Sequence, residues 1–317
     1  MQGLATEGAE RERQETASRL ERRRRAHAIL DFVAKVTRPG SSDFVPPAER
    51  IATFDNDGTL WCERPLQVQF FFARSRLEEL ARTDASLLAR SPFNTFLEHD
   101  MGSVPPFGMA DLAQLAAIAH SGTTVDEFGR IARQWLATAR HPGLGRLFTE
   151  LTYAPQVELL HLLRDKGFKV FVVSGGGSDL MRACSEALYG VAPEQVIGSG
   201  MKTRFEIREG RAELVKLAEL ESFNDREVKV NSIARHVGRR PILAFGNSDG
   251  DLAMLRYTRS GEGPRLALLL HHDDADREFA YDREFPLSPL AEGLDRANEY
   301  GLQLVGMKHD WARVFAG

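Results

Sequence analysis

Asp55 and Asp57 stand two residues apart at the end of the apolar run Ile51-Ala52-Thr53-Phe54, and Gly58-Thr59 follows at once. The run predicts a buried strand, and the glycine predicts the turn that leaves it. Side chains two apart on an extended backbone point the same way, so the two carboxylates converge at the strand's carboxyl end. Converging carboxylates repel each other, and a hard cation such as Mg2+ between them relieves that repulsion. One can then attack as a nucleophile while the other handles protons.

Three further polar clusters follow predicted strands. Phe168–Val173 runs into Ser174-Gly175-Gly176-Gly177, and Pro241–Phe245 into Gly246-Asn247-Ser248-Asp249-Gly250-Asp251. Arg265–Leu270 runs into His271-His272-Asp273-Asp274, and a last strand is expected at Leu302–Val305. Between them the spacing predicts helices over Gln156–Lys166, Ser178–Tyr189 and Lys229–Val237, while Thr203–Ile207 alternates like an exposed hairpin strand. Alternating strands and helices imply an α/β fold, a doubly wound parallel sheet with helices on both faces. Ligands bind beyond the carboxyl ends of such strands, which makes the four clusters parts of one site.

The remaining chain divides around that core. Phe70, Phe71, Phe72, Leu77, Leu112, Ile118, Phe128 and Trp135 recur at helical intervals, so residues 63–150 read as a helical insertion. Residues 48–62 and 151–317 form the expected core, and residues 1–47 an amino-terminal helical arm that includes a helix at Ala26–Val36. The basic run Arg22-Arg23-Arg24-Arg25 reads as a solvated helix face.

Phe54-Asp55-Asn56-Asp57-Gly58-Thr59-Leu60 resembles the first motif of the haloacid dehalogenase (HAD) superfamily. Val172-Val173-Ser174-Gly175-Gly176 resembles the second, Lys229 stands where the third supplies its lysine, and Ala244–Leu252 resembles the fourth. The Ser-Gly-Gly form and the position of the insertion are most similar to the phosphoserine-phosphatase-like branch, where the inserted segment is a helical cap. The resemblance implies an Mg2+-dependent phosphatase that hydrolyses a small phosphomonoester through an aspartyl-phosphate. It implies that Asp55 attacks phosphorus and that Asp57 protonates the leaving oxygen and then activates water. Thr59, Ser174, Gly175, Gly176 and Lys229 would hold the phosphate, with Asp55, Asp57, Asn247 and Asp251 around the metal. Lys202 and Lys216 rival Lys229 for the lysine's place.

Two positions depart from the family pattern. Asn56 replaces an apolar residue, and Asn247 replaces the usual aspartate of the fourth motif, which removes one negative charge from the metal site. Asp249 is the alternative ligand. Asn247 also motivates a second reading, a catalytically weak metal- and phosphate-binding protein. A phosphotransferase or phosphomutase would use the same aspartyl-phosphate. Asp57 argues against a dehalogenase, since a halide leaves without a proton. Candidate substrate contacts are Asn56, Glu63, Arg64, His271 and His272, with a surface ion pair as the alternative for Glu63 and Arg64.

Bulk properties exclude other classes. The formal net charge of -4 gives no general attraction to nucleic acid. No apolar run is long enough to span a bilayer, the first residues lack the order of a signal peptide, and two cysteines make no disulfide framework. A cytoplasmic enzyme acting on a small phosphorylated metabolite is the expectation.

Overall fold

A computed structural model describes residues 28–104 and 107–316. The arginine run falls outside these residues. Seven strands form one sheet: β1 (Ile51–Phe54), β2 (Lys169–Gly177), β3 (Val196–Arg208), β4 (Arg211–Ser222), β5 (Leu243–Gly246), β6 (Leu266–His271) and β7 (Gln303–Gly306). Their order is β4-β3-β2-β1-β5-β6-β7, and every neighbouring pair is parallel except β3 and β4. The central strand β1 is buried along its whole length.

The near-continuous apolar strands divide their side chains between two cores, as a sheet covered on both faces requires. Phe54, Val172, Phe245 and Leu268 belong to one, while Val173, Ala244, Ala267 and Leu269 belong to the other. In register, Phe54 lies opposite Val172 and Phe245. The residues that follow these three therefore emerge along one edge, and Asp55 N donates to Phe245 O at 2.9 Å.

Described residues 28–37 are helical and constitute α1. Between β1 and β2 come α2 (Val68–Thr83), α3 (Phe93–Glu98), α4 (Met109–His120) and α5 (Val125–Leu136). Their shared core is aromatic. Phe72 meets Phe128 and Trp135 edge-on, each at 5.4 Å between ring centroids, and Trp135 stacks on Phe148. After α5 the chain alternates as expected, with α6 (Ala154–Asp165), α7 (Ser178–Arg182), α8 (Ser185–Tyr189), α9 (Glu227–His236), α10 (Leu252–Arg259) and α11 (Glu292–Tyr300). The helix expected over Ser178–Tyr189 is two helices, broken at Cys184, whose φ of -134° is not helical.

The hairpin is longer than its sequence suggests. Arg211–Ser222 is a full strand paired with β3, and it carries the helical segment on its side. Gly122 N donates to Lys216 O at 3.0 Å, and Lys216 N to Thr123 O at 2.9 Å. No helix among the described residues is long and apolar enough to cross a membrane.

Candidate active site

Asp55 is buried at the carboxyl end of β1, and one ammonium faces it. Lys229 Nζ, from the first turn of α9, donates to Asp55 Oδ1 at 2.7 Å and to Asp251 Oδ1 at 2.6 Å. Asp251 is held in turn at the start of α10. Its Oδ2 accepts from the N–H groups of Asn247 (3.0 Å) and Ser248 (3.1 Å) and from the Ser248 hydroxyl (3.2 Å). Burial and the neighbouring Asp251 push the Asp55 carboxyl well above the usual range, and Lys229 offsets only part of this. Burial disfavours the ammonium, but Asp251 and Asp55 outweigh it and raise its pKa. The expected lysine is thus the one beside Asp55. Its rivals lie elsewhere: Lys202 pairs with exposed Glu219, and buried Lys216 pairs with Asp179.

Asp57 lies across the same floor. Burial, with Glu63 nearby, pushes its carboxyl up to about 7. A Cβ on Gly176 would stand 3.0 Å from Asp57 Oδ2 and 3.3 Å from Ser174 Oγ, so a bare backbone is what lets this loop approach the carboxylate. Ser174 Oγ accepts from Gly176 N at 3.0 Å. Asp55, Asp57, Ser174, Gly175, Gly176 and Lys229 together floor a cavity of about 690 Å³.

Beneath the floor lies a buried polar cluster that the sequence did not announce. Glu63 is fully buried, with Oε1 accepting from Asn247 Nδ2 and Tyr281 Oη, both at 2.9 Å. Its Oε2 accepts from Ser288 Oγ at 2.7 Å and Gln67 Nε2 at 3.2 Å. Burial raises the Glu63 pKa, against the pull of these donors. Gly58 passes directly over the Glu63–Asn247 contact with φ +74°, and a Cβ there would collide with both side chains. His272 braces the same turn, its Nε2 2.7 Å from Gly58 O and its Nδ1 3.2 Å from Glu278 Oε2. Burial disfavours the imidazolium, but Glu278 outweighs it and raises the His272 pKa.

Several expected contacts lie elsewhere. The carboxylate of Asp249 is not directed at the metal position. It caps α11, accepting from Ala291 N, Glu292 N and Gly293 N at 3.0, 3.0 and 2.8 Å. Thr59 stands behind the floor and donates to Asn247 Oδ1 at 2.9 Å. Asn56 is neither in the cavity nor in solvent: it is buried, and Tyr189 Oη donates to its Oδ1 at 3.0 Å. Glu63 and Arg64 form no surface pair, since Glu63 is buried and the Arg64 guanidinium lies 4.6 Å over the Phe285 ring. His271 faces Asp282 at 3.2 Å. None of Asn56, Glu63, Arg64, His271 or His272 lines the cavity.

Conversely, Gln67, Gln69, His120 and Asp225 do line it. Gln69 Oε1 accepts from Gly177 N at 2.9 Å and so ties α2 to the end of β2. No local pattern marks these residues, because they come from separate elements.

The donor chemistry fits Mg2+. The carboxylates of Asp55, Asp57 and Asp251 gather around one buried ammonium, a surplus of negative charge in a poorly solvated place. Among the described residues no three His, Cys, Asp or Glu side chains form a ready-made cage. Mg2+ takes one or two carboxylates and completes its shell with water and substrate phosphate. Asp55 and Asp57 are the residues that would hold it, with Asn247 and Asp251 behind them.

A parallel α/β sheet with a carboxylate pair, a lysine and a glycine-rich loop at its carboxyl edge defines a class of hydrolytic enzymes. The sequence profile of the haloacid dehalogenase-like hydrolases matches residues 52–256, and the chain belongs to that family. Among solved structures, a conserved protein of unknown function from Anaerococcus prevotii is similar over 87% of this chain and 90% of its own, with 15% identity and a TM-score of 0.55. A Bordetella pertussis protein of unknown function matches over 81% and 98%, with 16% identity and a TM-score of 0.48. A phosphoserine phosphohydrolase-like protein from Francisella tularensis matches over 79% and 98%, with 16% identity and a TM-score of 0.41. At such identities the first of these is a likeness of fold. No curated protein sequence matches the chain.

Proposed function

We propose that the chain is an Mg2+-dependent phosphomonoesterase that works through an aspartyl-phosphate on Asp55. The observation that carries this reading is the placement of two aspartates on one cavity floor. Asp55 is bonded to the Lys229 ammonium at 2.7 Å, and Asp57 stands beside Ser174 and Gly176.

An Asp55 carboxylate oxygen forms a bond to phosphorus while the ester P–O bond breaks. Asp57, protonated at its shifted pKa, gives its proton to the departing oxygen. In the second half a water attacks phosphorus and gives its proton to Asp57. The bond to Asp55 then breaks and phosphate leaves. Lys229 neutralises the carboxylate as it meets the phosphate, and the Ser174 hydroxyl receives a phosphate oxygen. Mg2+, when bound, supplies further neutralisation of the transferring group. The helical segment 63–150 acts as the cap, since α4 contributes Leu112, Ala113, Ala116 and His120 to the cavity wall.

The test is release of p-nitrophenol from p-nitrophenyl phosphate, with Mg2+ and with a chelator. Release that needs the metal and vanishes in Asp55→Asn supports the reading. Release that Asp55→Asn leaves unchanged refutes it.

A further inference from the structure

Above its charged floor the cavity changes character. One wall is α4, with Leu112 and Ala116; a second is the β3–β4 hairpin, with Met201 and Leu220; a third is the loop holding Leu287. Among the described residues, no charged side chain from these three walls lines the cavity. The charged lining above the floor comes from one turn, Asp225, Arg226 and Glu227, where Arg226 and Glu227 are exposed at the rim. Arg226 Nε lies 3.9 Å from Asp225 Oδ2, so the one rim cation already has an anion beside it.

The polarity that the walls do carry is uncharged. Gln67 Oε1 and His120 Nδ1 are buried without a partner. Burial, with Lys216 close by, pulls His120 down to about 3, so its ring stays neutral. Phe223 and Val228 extend the apolar lining to the mouth of the cavity, where both are partly exposed.

Resting on the phosphatase reading of the floor, we propose that the substrates are phosphate esters of apolar alcohols or phenols, with an uncharged alkyl or aryl group filling the cavity above the phosphate. A zwitterionic amino-acid leaving group would lose water against three uncharged walls, and the half-buried carboxylate above the floor, Asp225, already has Arg226 3.9 Å away. The cavity is also of a size that holds a ligand much larger than phosphate.

Binding of phosphonates separates this claim from catalysis, because they cannot be hydrolysed. Calorimetry in Mg2+ with ethyl-, butyl- and hexylphosphonate should give a Kd that falls about fourfold per added methylene. The amino-carboxylate analogue 2-amino-4-phosphonobutanoate should bind more weakly than butylphosphonate by about tenfold or more. Leu220→Gln should cut the ratio of hexyl to ethyl affinity by about fourfold. A Kd independent of chain length, or tighter binding of the amino-carboxylate, overturns the proposal even if p-nitrophenyl phosphate is turned over. Chain-length dependence without any turnover upholds the apolar site and refutes the catalytic reading instead.

Discussion

Lys229→Met is the perturbation whose size follows most directly from the site. Methionine keeps much of the apolar stem and removes the ammonium that bridges Asp55 and Asp251 at 2.7 and 2.6 Å. Removing one partner of a buried ion pair costs about 3–5 kcal/mol, because the other charge stays buried without compensation. Two charge-assisted hydrogen bonds at ~1.5–3 kcal/mol each give a similar figure. For a chain of 317 residues this corresponds to a fall in Tm of about 5–8 °C. The loss has a pH signature. Without the lysine, the Asp55 carboxyl titrates further above its unfolded value than before. A carboxyl raised in this way contributes no penalty below the unfolded range and an increasing one as pH rises. The deficit measured in chelator should therefore be larger at pH 8 than at pH 5. Thermal and urea unfolding of both proteins at the two pH values is the assay. A fall of less than about 1 °C at pH 8, or a deficit that grows toward acid, would refute the reasoning.

Other perturbations probe the floor from different sides. Gly58→Ala should lose about 2–4 kcal/mol, from left-handed backbone at φ +74° and from a methyl that displaces the Asn247–Glu63 hydrogen bond; urea unfolding that matches the parent would contradict this. Asp57, raised to about 7, should make the chelated protein less stable as pH climbs from about 4 to 7, by at most ~1.4 kcal/mol per unit and less where cavity water screens it. Asp57→Asn should flatten that slope, and an unchanged slope would assign it to other groups. Glu63→Gln should weaken Mg2+ binding in calorimetry, since it removes a buried negative charge one hydrogen bond from Asn247. Combining it with Asn247→Asp relocates the charge, so the double variant should be ~1–3 kcal/mol more stable than the two single losses predict, and strict additivity would dismiss the coupling.

The sheet edge that carries Asp55 and Asp57 was legible because its signals are local. Asp55 and Asp57 follow an apolar run, and the positions of β1, β2, β5, β6 and β7 follow from similar runs, each within a few residues of its observed bounds. What escaped depends on contacts distant in sequence. Arg211–Ser222 alternates charged and apolar residues too irregularly to read as a strand, yet it pairs with β3 and its Lys216 is buried against Asp179. Asp249 has the residue type and spacing of a metal ligand, but the start of α11, some forty residues on, claims its carboxylate. Glu63 looks like a surface residue until Asn247, Tyr281, Gln67 and Ser288 converge on it. Asn56 departs from the apolar pattern because Tyr189, on α8, provides a buried hydroxyl for it. Residue type announces chemistry, whereas the partner that uses or occupies a group is fixed only by the fold.

The central claim is a covalent bond between Asp55 and phosphorus. A single turnover of radiolabelled phenyl phosphate in Mg2+, quenched in acid and digested, tests it directly, with Asp57→Asn included to slow release of the intermediate. The account predicts label on the peptide that contains Asp55, and none on the corresponding peptide of Asp55→Asn. Label released to solvent with no transient protein-bound phosphate in either Asp57 form, or label carried by another residue, would contradict it.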